Sequence, residues 1–182
     1  AYFDFNSYEK NTDLHDHVEL ILNKKARIVF NDPRRFGIFD ICRTDKINDM
    51  KYFRKLGLDP FNKNFNEKYL YNIIKKSNSP IKSILLNQKV VLGIGNIYAN
   101  EILFDSRISP IRKGSEISFK KTLALVISIK KILRIAIKSN GSTLKNYFSV
   151  DGTLGSFQNK FKVYGKDERY IRYNGKNMLI KK

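Results

Sequence analysis

The chain has 182 residues, 42% of them apolar, so it can build a real core as one ordinary domain or two small ones. Lysine and arginine total 35 against 17 acidic residues, a formal charge of +18 that favours polyanionic partners. No stretch is apolar and long enough to span a membrane, and the first residues do not read as a signal peptide. An AT-rich coding vocabulary accounts for part of the lysine excess, but not for the arginines paired at 34 and 35. The single cysteine, Cys42, excludes an internal disulfide and a cysteine-based zinc site, and fits a reducing cytosol. Its neighbours Ile38, Phe39 and Ile41 predict a small core residue.

In chain order, residues 1–44 read as β-rich. Val18, Leu20 and Leu22 alternate with Glu19, Ile21 and Asn23, and Ile28 to Phe30 and Ile38 to Ile41 are further strand candidates. Asn31-Asp32-Pro33 and Phe36-Gly37 are turn signals. Ile47 to Leu56 predicts a short helix ending at Gly57, and 57–65 a linker. Helices are expected over 66–77, 80–87, 96–106 and 117–140. In the last, Phe119, Leu123, Val126, Ile129, Leu133 and Ala136 form a 3-4 spaced apolar stripe, and Lys120, Lys131, Arg134 and Lys138 lie opposite. That basic face is by default a solvated one. Ser115 is a candidate cap, and Asn140-Gly141 a stop. Beyond it come a loop over 149–155, a strand candidate from Phe157 to Tyr164, and a short hairpin around Asn174-Gly175.

Two segments carry most of the chemistry. Gly93-Ile-Gly95-Asn96 puts two glycines before a helix start, where a backbone comes close to a ligand and free N–H groups suit a phosphate. Asp32-Pro33-Arg34-Arg35-Phe36-Gly37 puts two guanidiniums and a ring on a tight turn. Two readings of this turn stand: a β-turn with solvated arginines, or an arginine fork that reads a base edge beside a ring that wedges into the stack. A dinucleotide fingerprint at Gly93-x-Gly95 fails, because Tyr98 stands where a third small residue is needed. His15-Asp16-His17 reads as a hydrogen-bonded pair rather than a metal site, which would need a third ligand. Asp16, Glu19, Asp32 and Glu101 are acid–base candidates by residue type alone.

Several separate blocks together resemble the formamidopyrimidine-DNA glycosylase family, the bifunctional base-excision enzymes of DNA repair. They are His15-Asp16-His17-Val18, Asp32–Gly37, Leu56-Gly57, Val91–Phe104, Ser142-Thr143-Leu144-Lys145 and Val163-Tyr164-Gly165. The resemblance implies an α+β fold: the C-terminal part of a β-sandwich catalytic domain over 1–56, the linker 57–65, and a helix–two-turns–helix DNA-binding domain over 66–148. A lesion loop and a degenerate, zinc-less finger hairpin would fill 149–182. By this resemblance Arg34 faces the base opposite the lesion, Phe36 is the wedge, and Asn96 and His15 hold phosphates. Arg35 joins the DNA contacts, and Lys76 substitutes for the basic residue expected where Ser77 stands. Ser149, Asp151, Gly152, Thr153 and Phe157 belong to the loop over the everted base.

The implied activity is a DNA glycosylase and abasic-site lyase that removes 8-oxoguanine and formamidopyrimidines from duplex DNA and nicks the strand. In the family a secondary amine attacks the sugar of a flipped nucleotide, expels the base and promotes β-elimination. The family's N-terminal proline, glutamate and later lysine are not among these residues, so no catalytic residue is assigned and a fragment is expected. The family's zinc is not expected either, because Tyr170 and Tyr173 stand at its first two ligand positions. Damaged duplex DNA is the expected partner, for a monomer in the bacterial cytosol or nucleoid. The alternatives are a non-catalytic remnant that still binds damaged DNA, and a helical module for RNA or protein, against which Arg34 and Phe36 argue.

Overall fold

The computed structural model describes residues 2–7, 11–22, 26–142, 155–173 and 175–180. They fall into two compact units, one of Ala1–Ile47 with Ser139–Gln158, the other of Asn48–Lys138 with Asn159–Lys182.

The first unit holds a three-stranded antiparallel sheet, β1 (Tyr2–Ser7), β2 (Asp16–Leu22) and β3 (Ala26–Asn31), in the order β1-β3-β2. The central strand carries the burial: Val29 and Phe30 are apolar and buried, and Arg27 is buried with its guanidinium on Glu19 at 2.7 Å. A bulge interrupts β2, so that Asp16 pairs with Asn31 and Val18 with Phe30. Ile38 to Ile41 is not a strand. β3 is already paired on both sides, and Ile38 and Ile41 stand 61% and 89% exposed. Cys42 is likewise exposed rather than in the core, because the whole segment around it lies at the surface.

Ile47 to Leu56 does not form the expected α-helix. A 3-10 turn runs over Thr44–Asp49 and turns follow, with Phe53 and Leu56 exposed, so no buried stripe rewards a longer helix.

The second unit is built on α1 (Glu67–Ile74), α2 (Ile81–Leu86), α3 (Asn96–Asp105) and α4 (Phe119–Lys138). Asn66 caps α1 by accepting from the Tyr69 N–H at 3.0 Å, and Leu70 and Ile74, four apart, bury one face. α4 packs on α1 and α3 through Leu125, Val126, Ile129, Ile132, Leu133 and Ala136. Phe119 and Leu123, the first two positions of the predicted stripe, remain exposed. Ser118 starts this helix, its hydroxyl accepting from the Lys121 N–H at 3.4 Å. Ser115 instead donates its hydroxyl to Asn78. Gly57 lies against the backbone of Val90: an added Cβ would stand 2.4 Å from the Val90 carbonyl carbon. The Gly57 N–H donates to the Gln88 carbonyl at 2.8 Å.

The segment from Phe157 to Tyr164 is a 3-10 turn (Phe157–Lys160) followed by bends, not a strand. Residues 162–164 give their N–H groups to a side chain rather than to a neighbouring strand, as described below. The hairpin around residue 175 does form, from β4 (Tyr170–Tyr173) and β5 (Lys176–Leu179).

Candidate nucleic-acid interface

In the first unit the turn after β3 is held by a buried carboxylate. Asp32 is 2% exposed, and its Oδ2 accepts from the Gly37 N–H at 2.5 Å. The Asp32 carbonyl accepts from the Arg35 N–H at 3.2 Å, and the Asp32 N–H donates to the His15 carbonyl at 3.0 Å. The Gly37 bond is the largest influence that holds this carboxyl below the ordinary value of 3.8, against the opposing effect of burial. On this base stand Arg34, Arg35 and Phe36, all exposed, the ring at 82%. The Arg34 guanidinium carbon lies 5.8 Å from the Phe36 ring centre. Arg35 takes a left-handed φ of 52°, uncommon for a side chain of its size.

His15 is half-buried beside this turn, and the His17 ring bonds the Asp32 carbonyl at 3.0 Å. The two histidines do not both lie on a strand. β2 begins only at Asp16, and its bulge falls at His17, so the two-residue alternation does not run through them.

In the second unit the predicted phosphate hairpin is organised by a residue the sequence did not single out. The Gln88 side chain accepts from the Gly93 N–H at 2.9 Å and donates to the carbonyls of Ile94 at 3.0 Å and Leu86 at 3.2 Å. Gly93 takes φ 76°. Gly95 is the N-cap of α3, and no side chain closes that helix end. Asn96 follows, exposed on the first turn. An open helix N-terminus after two exposed glycines presents donors to an anion. Lys76 is exposed just beyond the C-terminal end of α1.

The basic face of α4 is partly taken up within the chain. Lys131 pairs with Asp105 at 2.7 Å, and Arg134 lies over the Phe61 ring at 5.6 Å. Burial pushes the Asp105 carboxyl up, and hydrogen bonds from Lys131 and Ser128 outweigh it, so the net shift is downward.

Glu101, an acid–base candidate by type, proves to be a structural clasp. It is 2% exposed, its Oε2 accepts from the Lys162 N–H, and its Oε1 accepts from the N–H groups of Val163 and Tyr164, each at 2.9 Å. These bonds fix the chain ahead of the β4–β5 hairpin to α3.

Of the predicted lesion-loop residues, Ser149, Asp151, Gly152 and Thr153 lie outside the described residues. Phe157 is buried at 2% exposure, and its N–H donates to the Gly141 carbonyl at 3.0 Å. Tyr170 is 72% exposed on β4, and Tyr173 pairs with Lys176 in the ladder. Phenols in place of thiolates are a poor donor set for a structural zinc, so these residues do not fit that ion.

The formamidopyrimidine-DNA glycosylase H2TH domain matches residues 56–147. A helical DNA-repair module of this class is therefore what the second unit contains. The formamidopyrimidine-DNA glycosylase of Zymomonas mobilis is 46% identical over 158 residues, which cover 87% of this chain and 58% of that protein. That of Wolbachia from Brugia malayi is 40% identical over 93% of this chain and 65% of its own length. Among solved structures, Lactococcus lactis Fpg in complex with abasic-site DNA superimposes with a TM-score of 0.83 at 29% identity, covering 96% of this chain and 68% of that one. MutM (Fpg) from Thermus thermophilus gives 0.79, also at 29% identity, over 96% and 69%. The chain belongs to the formamidopyrimidine-DNA glycosylase family, and it spans a little over half the length of the first of these relatives.

Proposed function

We propose that this chain supplies the DNA grip of a base-excision glycosylase and abasic-site lyase that acts on oxidised purines. The observation that carries the proposal is a turn whose buried Asp32 is bonded to Gly37 while Arg34 and a phenylalanine at 82% exposure face solvent. An exposed ring beside two guanidiniums, on a turn fixed by hydrogen bonds, suits insertion into a base stack flanked by phosphates. In this reading Phe36 wedges into a base stack, Arg34 reads the base opposite the lesion, and Arg35 holds the backbone. Asn96 and the open end of α3 take a phosphate, with Lys76 and His15 as further phosphate contacts. Similar solved proteins hold abasic-site and Fapy-dG DNA, which supports a damaged duplex as the ligand. The amine that breaks bonds in the family is not assigned to any of the 182 residues.

The test is incubation of the 182-residue chain with duplex containing 8-oxoguanine opposite cytosine, beside an undamaged duplex, scoring both retention and nicking. Salt-sensitive retention without nicking or a borohydride-trapped adduct is expected. Nicking would disprove the missing-amine account, and absence of any retention would disprove the grip.

A further inference from the structure

The hairpin before α3 has little packing of its own to hold its shape. A Cβ added at Gly93 or at Gly95 would meet nothing within 4 Å, so neither glycine lies against the rest of the chain. Ile94 between them is buried, at 1% exposure. A buried side chain fixes where a residue sits but leaves its two peptide planes able to turn, and glycine neighbours turn easily.

Gln88 removes that freedom. Its side-chain oxygen accepts from the Gly93 N–H on one side of Ile94, and its nitrogen donates to the Ile94 carbonyl on the other, at 2.9 and 3.0 Å. These partners fix the orientation of the amide, since the reversed one would set donor against donor and acceptor against acceptor. The same nitrogen reaches the carbonyl of Leu86, the last residue of α2, at 3.2 Å. The backbone around Gln88 is tied in turn. The Gln88 carbonyl accepts from the Gly57 N–H, and the Val90 carbonyl accepts from the Tyr69 hydroxyl, each at 2.8 Å. In a planar trans peptide the carbonyl and the N–H point in opposite directions. Holding the Ile94 carbonyl on Gln88 therefore turns the Gly95 N–H away from Gln88, and no described residue accepts from that N–H. Gly95 is exposed and caps α3.

We propose that Gln88 is a positioning residue for phosphate binding, holding the hairpin so that the Gly95 N–H and the open end of α3 face the anion. This role rests on the reading of Asn96 and that helix end as a phosphate site. Gln88 touches no phosphate itself; it acts through the peptides on either side of Ile94.

Binding of the 182-residue chain to duplex containing 8-oxoguanine opposite cytosine is measured across salt concentrations for the parent, Gln88→Ala, Gln88→Glu, Asn87→Asp and Asn96→Ala. Gln88 is exposed, so Gln88→Ala should melt within about 2 °C of the parent. It should nevertheless bind about ten-fold more weakly, with a log–log salt slope lower by about one, the equivalent of one phosphate contact. Hydrogen exchange at the Gly93 amide should quicken in the same variant. Gln88→Glu keeps an acceptor for Gly93 but sets a carboxylate against the Ile94 and Leu86 carbonyls, and should lose at least as much affinity. Asn87→Asp adds the same charge one residue away, keeps the acceptor for the Lys89 N–H, and should lose less than about three-fold. Equal losses in Gln88→Glu and Asn87→Asp overturn the role, as does a Gln88→Ala slope equal to the parent's while Asn96→Ala lowers it. Slopes unchanged in both Gln88→Ala and Asn96→Ala, or no retention by the parent, refute the phosphate site itself and this role with it.

Discussion

Replacing Glu101 with alanine should loosen the second unit without touching any residue proposed to meet DNA. The side chain is 2% exposed and accepts three backbone N–H bonds, each at 2.9 Å. A hydrogen bond to a charged group contributes about 1.5–3 kcal/mol. Three would sum to well over ~4 kcal/mol, but Lys162 is exposed and Val163 and Tyr164 are half-exposed, so water recovers part of the loss. We therefore expect Glu101→Ala to cost about 3 kcal/mol, within the range for breaking a buried charged network. At about 2–4 °C per kcal/mol the melting temperature falls by about 6–12 °C. Glu101→Gln keeps an amide oxygen for Val163 and Tyr164 but turns an NH2 toward the Lys162 N–H, and should cost about 1–2 kcal/mol. Thermal melts followed by far-ultraviolet circular dichroism give the ranking, and hydrogen exchange at residues 162–164 locates it. Alanine and glutamine variants that both melt within a degree of the parent, with those amides still protected, would refute the clasp.

Phe36→Ala should leave stability within about 0.5 kcal/mol, because the ring is 82% exposed, while lowering retention of damaged duplex; a large loss of stability would show a packing role instead. Gly57→Ala forces a Cβ to 2.4 Å from the Val90 carbonyl carbon and should cost about 1–3 kcal/mol in urea denaturation; a neutral result would mean that the 57–58 and 90–91 segments separate freely. The Asp32 carboxyl is held below 3.8 in the folded state, so its stabilising effect is complete above that unfolded value and is lost as pH falls through the lower folded one. Stability measured against pH should therefore flatten in Asp32→Asn below about pH 4, and an unchanged profile would refute the assignment.

The second unit was the more legible part of the sequence. Helices α1 to α4 lie within the ranges expected from the sequence, α3 from Gly95 before Asn96 and α4 from a stripe repeating every three to four residues, although Asn66 caps α1 rather than opening it. Ile38 to Ile41 and Phe157 to Tyr164 misled because aromatic and β-branched residues score as strands whether or not a partner exists, and no described strand pairs with either segment. Cys42 misled for the same reason: apolar neighbours in sequence did not become neighbours in a core. The exposed turn at 34–36 was recognisable from residue types. Gln88 and Glu101 were not, because what they bond is backbone, in the case of Glu101 more than sixty residues away. A carboxylate buried under another segment's N–H groups looks, in sequence, like any other glutamate on a helix.

The closed turn at 32–37 also bears on how fast and how tightly a ligand can be held. Ordering one residue's backbone costs about 1–2 kcal/mol of conformational entropy. Here that ordering accompanies folding, since the Asp32 carboxylate and carbonyl both bond N–H groups across the turn. An arriving ligand therefore immobilises only the Arg34, Arg35 and Phe36 side chains. The same residues on an open loop would make every contact and still bind more weakly by several kcal/mol, a difference that would be felt mainly as faster release.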